Sequence, residues 1–284
     1  MEEEFHNHMR IPWHDYTRKS LGHPITEASL SEKASIIGRT GIMLLSCGTG
    51  AWRVRSSMNT LARELGITCT ADIGLLSIEY TCIAGGDCYT ESLCLFNTGV
   101  NTSKLYRMEL FVNKFATNCK KMSGDELHTL LDQIHEIHGF YSPPFLGLAA
   151  AVACCAFTFL LGGGPIEMFC AFLGAGAGNY LRAKMNQHHL TLFLCTAASV
   201  ALACVVYTIS FMALKSGFDV SIHHQAGYIC SMLFIIPGFP FITSGIDLAK
   251  LDMRSGLERL TYAIIIIAVA TLTAWMLALV LHLK

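Results

Sequence analysis

The sequence predicts an α-helical membrane protein, with five transmembrane helices behind an N-terminal cytosolic α+β domain. Three observations predict it. Hydrophobic residues make up 52% of the 284-residue chain and charged residues only 14%, where an ordinary soluble protein carries about 25%. The deficit is one-sided: 12 of the 140 residues from 145 to 284 are charged, against 29 of the first 144. Finally, the second half divides into five apolar stretches, 145–161, 166–181, 190–214, 226–248 and 260–281. Each approaches the ~20 residues a helix needs to cross a bilayer.

The boundary falls at Tyr141-Ser142-Pro143-Pro144, where two prolines stiffen the chain. Residues 1–30 read as a flexible tail, 31–140 as the cytosolic domain and 145–284 as the transmembrane domain. The opening MEEEFHNHMR is acidic and lacks the apolar core of a signal peptide. A net charge of −1 argues against a nucleic-acid partner. Six cysteines fall in each half with no CxxC pair, so they read as small apolar fillers rather than a disulfide framework.

Within the polar half, a helix is expected from Ser31, its cap, through SEKASIIGRTGIMLLSCG. A second helix covers AWRVRSSMNTLAREL, with Val54, Met58, Leu61 and Leu65 as its apolar stripe and Gly66 as its stop. Two strand-like runs follow, CTADIGLLSIEYTC and CYTESLCLFN, joined by the hairpin signal Ala84-Gly85-Gly86-Asp87. Helices near 104–117 and 123–137 complete the α+β unit, the latter opened by a Ser123/Glu126 capping box.

Catalytic signals are sparse. No P-loop, G-x-S-x-G or H-E-x-x-H motif occurs, so no enzyme, cofactor or metal centre is expected. A membrane-anchored hydrolase with its site in the cytosolic domain stays open as the second reading. Gly48-Thr49-Gly50-Ala51 before a helix is either a plain turn or a cradle of free amides for an anion. His128, His135, Glu136 and His138 share one amphipathic helix, which reads as a solvated face before it reads as a metal site.

In the apolar half, Arg182 and Lys184 fall in one loop and Lys250, Arg254 and Arg259 in another on the same side, with Lys215 and Lys284 opposite. The positive-inside rule then puts the N-terminus in the cytoplasm and, after five spans, the C-terminus outside. The second span carries Gly174 and Gly178 four apart, a small-residue ridge for close packing or a thin wall beside a path, with Asn179 next to it. Glu167 at its start reads as interfacial. The fourth span holds FIIPGFPFITSGIDL, which places Pro237 at its middle residue. Pro237 and Pro240 remove backbone donors and Gly238 adds freedom, so the helix opens where lipid offers no replacement partners. Such breaks either kink a helix or form a binding site. The half-helix that follows would offer free amides to a carboxylate, with hydroxyls from Thr243 and Ser244 and an acid at Asp247.

LLSCGTGAWRVRSSMNTLARELGI, the Gly99–Asn101 GVN and IIPGFPFITSGIDLAKLDMRSGLERLTYAI together resemble the threonine/serine exporter (ThrE) family, in its separately encoded large-subunit branch. The resemblance covers roughly residue 31 to the C-terminus. It implies a subunit of an exporter of small carboxylate-bearing metabolites, either threonine and serine or dicarboxylates such as succinate. It also implies a bacterial cytoplasmic (inner) membrane location, a higher oligomer, and a small partner subunit of the YjjB type supplying the second membrane half. The helix break and its polar neighbours make the candidate substrate-binding set Pro237, Gly238, Pro240, Thr243, Ser244 and Asp247, with Asn179. Family members tend to carry an acid directly after the valine of the second helix, where this chain has Arg55.

Overall fold

The computed structural model describes residues 11–17, 22–137, 141–188, 190–215 and 225–281. They form two compact units. One joins residues of 1–139 to the later segment 239–260, and the other joins 140–238 to 261–284.

The first unit is built around α1 (Leu30–Ser46), whose Ile36, Ile37, Leu44 and Leu45 are fully buried. Its cap is Ser29 rather than the expected Ser31: the Ser29 hydroxyl accepts the Glu32 amide at 3.4 Å, which leaves Ser31 within the first turn. Helix α2 (Ala51–Glu64) buries Val54, Met58 and Leu61, the stripe its spacing predicted. The run expected as one long strand is two, β1 (Thr68–Ile73) and β2 (Ser77–Ala84), because the chain turns at Gly74, whose amide donates to the Ser77 carbonyl at 2.8 Å. With β3 (Asp87–Cys94) they make an antiparallel sheet in the order β1-β2-β3. Ala84 pairs with Asp87 across Gly85-Gly86, the predicted hairpin. Alternate residues of β2, Ile78, Tyr80 and Cys82, point into the core. Helix α3 (Thr102–Lys114), a π-helical turn at Phe115–Cys119 and α4 (Gly124–His135) complete the unit. Both halves of the Ser123/Glu126 capping box form.

Part of the expected flexible tail is folded. Trp13–Thr17 is a 3-10 helix, and Thr17 and Ile25 are buried. His14 holds it in place, with Nδ1 2.6 Å from Asp125 and Nε2 2.8 Å from Asp132, both on α4. The solvated histidine face of α4 is also corrected: His128 is fully buried. The Ser35 hydroxyl donates to the Glu32 carbonyl, so it must accept from His128 Nε2 (3.1 Å), and Nδ1 is left to accept from Arg39 (3.2 Å). Burial and the neighbouring guanidinium push His128 down to about 3, so it is neutral. His138 lies outside the described residues.

The second unit contains α5 (Pro143–Leu160), α6 (Pro165–Gln187), α7 (Leu192–Lys215), the short α8 (Gln225–Ser231) and residues 261–280 of α10 (Met253–Val280). Helix α6 is gripped on two faces. A Cβ on Gly174 or Gly178 would come within 2.7 Å of a carbonyl oxygen of α7, Ala203 or Ser199 respectively, and one on Gly176 would meet the Ala151 side chain of α5 at 3.2 Å. The small-residue ridge is therefore a packing device. Three described helices, α5, α7 and α10, are long and apolar enough to cross a membrane. A fourth crossing arises if Ala226–Ile235 and α9 (Gly238–Ala249) count as one broken span. Helix α6 has 23 residues, but its glycines, Arg182 and Lys184 dilute its apolarity, so length and composition alone do not reach the expected five.

Candidate functional site

The break in the fourth apolar stretch is present and has a local cause. Ile236 precedes a proline and is pushed to extended backbone (φ −60°, ψ 120°). The 3-10 turn Leu233–Ile235 therefore stops there, and α9 restarts at Gly238 with Pro240 in its first turn, where a missing N–H costs little. The two arms meet at 67°. In a continuous helix the Gly238 amide would bond the Phe234 carbonyl. It turns instead to Ile236 O (2.9 Å), and Phe234 O accepts from Arg182 Nη1 of α6 (3.3 Å).

Beyond the break, α9, the turn after it and the start of α10 carry half of the charges counted from residue 145 onward: Asp247, Lys250, Asp252, Arg254, Glu258 and Arg259. All six meet partners elsewhere in the first unit, Lys250 through the Trp52 ring, whose centroid lies 4.5 Å from its ammonium. Arg55 pairs with Asp252, Arg254 with Asp72, and the Leu75 amide donates to Glu258 (2.6 Å). The Arg55 position, where the resemblance led one to expect an acid, thus supplies the cation for an acid nearly two hundred residues later.

The centre of this network is Asp247, which is fully buried. Its Oδ2 accepts from the Ala51 amide at 3.1 Å and from the Ser255 hydroxyl at 2.9 Å, and lies 3.4 Å from Arg259 Nε. Arg259 donates in turn to Ser255 Oγ (3.1 Å), Gly48 O (3.1 Å) and Thr49 O (2.8 Å). The Gly48–Ala51 turn is therefore read twice, its amide end by a carboxylate and its carbonyl end by a guanidinium, which matches the charge distribution at a helix start. The two readings of that turn are both correct: it links two helices and it holds an anion, and the anion is the chain's own Asp247. Gly50 is needed for the approach, since a Cβ there would sit 2.8 Å from Asp247 Oδ1. Among the described residues Oδ1 has no hydrogen-bond partner.

The remaining sequence-predicted residues are placed as follows. Pro237 is half-buried and Gly238 exposed at the break. Thr243 and Ser244 are buried, and the Thr243 hydroxyl donates back to Phe239 O and Pro240 O at 3.0 and 3.2 Å, within its own helix. Asn179 donates to Leu146 O at 2.7 Å, tying α6 to α5. Glu167 is buried at the start of α6: its Oε2 accepts the Gly164 amide at 2.7 Å, and the bare Gly227 lets α8 close over it. The sequence reading missed Ser255 and the long-range role of Arg259, and it counted Arg182 as a loop charge. A Ser-Gly followed by an arginine one turn later is the only local trace of the first pair. Arg182 misled because α6 runs five residues past it.

Geometry and composition together describe a membrane protein with one interrupted apolar helix. A family model described as putative threonine/serine exporter matches residues 35–282, and the chain belongs to that family. It is similar to the probable succinate transporter subunit YjjP of Escherichia coli (strain K12), 26% identical over 244 residues, which are 83% of this chain and 91% of that protein. The protein of the same name from Klebsiella aerogenes is 25% identical over 244 residues, 82% of this chain and 90% of its own length. No solved structure matches the chain.

Proposed function

We propose that the chain is a subunit of a secondary exporter of small carboxylate-bearing metabolites, either threonine/serine-type amino acids or succinate-type dicarboxylates. The observation that carries this reading is a helix interrupted at Ile236–Pro237 inside the region matched by an exporter family model. The relatives' names support the carboxylate class. In this reading α6 is the fifth span, the N-terminus is cytoplasmic and the C-terminus is outside, in a bacterial inner membrane. A small YjjB-like subunit completes the path within a higher oligomer.

Pro237 and Gly238 keep the backbone open. Pro240, Thr243 and Ser244 form the first turns of the half-helix that receives the carboxylate, Asp247 guards the cytoplasmic entry, and Asn179 lines the path within the membrane unit. Because Thr243, Ser244 and Asp247 are buried, the substrate reaches them through a rearrangement, which alternating access supplies. The test is efflux of radiolabelled succinate, serine and threonine from proteoliposomes, with and without the small partner. Pro237→Ala combined with Gly238→Leu closes the break; efflux is lost while membrane insertion persists. Unimpaired efflux from that variant removes the site assignment.

A further inference from the structure

We propose that Arg182 is the membrane unit's own contact to the carboxylate of the exported metabolite, a charged partner in addition to the half-helix amides assigned above. The inference rests on the exporter reading and deepens it. A guanidinium is always charged and offers five N–H donors. In this structure Arg182 spends one of them, on Phe234 O at 3.3 Å. Its Nε is buried with no partner, and no carboxylate among the described residues pairs with it. The ionisable side chains near it are Tyr262 of α10 and Cys195 of α7, neither of which is a counter-ion at ordinary pH. Arg182 as a whole is half-buried, and a cation held beside neutral groups within an apolar helix bundle is costly and persists where it faces water or an anion.

Its position gives it a purpose. Phe234 O is the carbonyl that the Pro237 break sets free, so Arg182 stands at the interruption, with its unused donors beside the only described apolar stretch whose helix is broken. Access for the side chain is built in one turn earlier: Gly178 has no side chain where a Cβ would meet the Phe234 ring at 2.8 Å. A carboxylate accepting two parallel N–H bonds from the fork would supply the missing counter-charge. The shared chemistry of amino acids and dicarboxylates is that carboxylate, and this site reads it without reading the rest of the molecule.

The experiment compares the full-length protein with Arg182→Gln and Arg182→Lys in proteoliposomes carrying the small partner, using radiolabelled succinate, serine and threonine and, as the control without a carboxylate, serinamide. Losing a charge-assisted pair raises KM by about tenfold to a hundredfold in Arg182→Gln, while Arg182→Lys, which keeps the charge and loses the fork, shifts it less. The unaltered protein discriminates against serinamide, and Arg182→Gln loses that discrimination, which a purely structural role would not produce. Unchanged KM and unchanged discrimination in Arg182→Gln overturn the proposal while leaving the exporter reading standing. If the unaltered protein moves none of the three acids, the exporter reading falls and takes this one with it. Should Arg182→Gln fail to insert, Arg182→Lys decides: a raised KM supports the carboxylate contact and an unchanged KM overturns it.

Discussion

The two units solve the packing problem in opposite ways. In the polar unit large side chains lie inside: Ile36, Ile37, Leu44, Tyr80 and Phe115 are all buried. In the membrane unit the buried positions of α5 to α7 are mostly small, such as Ala151, Cys154, Ala171, Ala175 and Ala203, while Phe159, Leu160, Ile209 and Trp275 face outward. In water, burying a large apolar side chain contributes about 1.5–3 kcal/mol. In lipid the surroundings are as apolar as leucine, so burial by itself gains nothing, and helices are held by close backbone contact and van der Waals packing. One chain therefore carries two inverted size patterns, each fitted to its own solvent.

Exchanging the two size patterns should have the largest effect. Gly178→Leu puts a side chain where a Cβ already lies 2.7 Å from Ser199 O and 2.8 Å from the Ala203 Cβ and the Phe234 ring. Monodisperse protein in detergent should be lost, with Gly178→Ala retaining part of it; a normal gel-filtration profile for the leucine variant would show that α6 and α7 are not seated as described. The converse change is Leu160→Ala on the outer face, which is 72% exposed and should alter stability by no more than about 0.5 kcal/mol, against about 2–5 kcal/mol for Leu44→Ala in the polar core.

Charge follows the same division. The polar unit buries Asp247 and Arg259 together, whereas the membrane unit leaves Arg182 without an acid among the described residues. Asp247→Asn strands the Arg259 guanidinium among carbonyls and a hydroxyl, and should destabilise the polar unit by about 3–5 kcal/mol in denaturant unfolding in micelles. Adding Arg259→Met removes the stranded charge and should recover much of that loss. No recovery would mean that Arg259 matters for its bonds to Gly48 and Thr49 rather than as a counter-ion.

How much of this was legible in the sequence depended on the range of the interaction. The capping box at Ser123, the Gly85-Gly86 hairpin, the stripe of α2 and the Pro237 break are short-range features, set by neighbouring residues and by the restrictions of proline and glycine. The Asp247 centre was half legible. Both the Gly48–Ala51 turn and Asp247 stood out, but nothing in periodicity says that an amide and a carboxylate 196 residues apart share a bond. The π-helical turn at Phe115–Cys119 and the split of β1 from β2 went unread because helix and strand periods are blind to a one-residue insertion or a turn inside an apolar run. Arg182 was misread because a cation near the end of an apolar stretch looks the same whether the helix ends there or runs on.

The smallest predicted effect concerns pH and compares two histidines of the polar unit that face each other, with ring centroids 5.7 Å apart. His14 lies between two carboxylate oxygens, so both ring nitrogens must donate, and the hydrogen bonds to Asp132 and Asp125 raise its pKa above 6.5. Its contribution is fully present below the unfolded value of 6.5 and is lost as pH rises through the higher folded value. His128 is depressed to about 3 by burial, so its contribution is present above 6.5 and fades as pH falls toward 3. Residues 11–17, which His14 pins and where Trp13 stacks on His128, should therefore exchange amide hydrogens faster, after correction for intrinsic rates, as pH rises above 6.5. His14→Gln should raise exchange at low pH and flatten the profile. A pH profile that survives His14→Gln would assign the release to a group other than the imidazole held between Asp125 and Asp132.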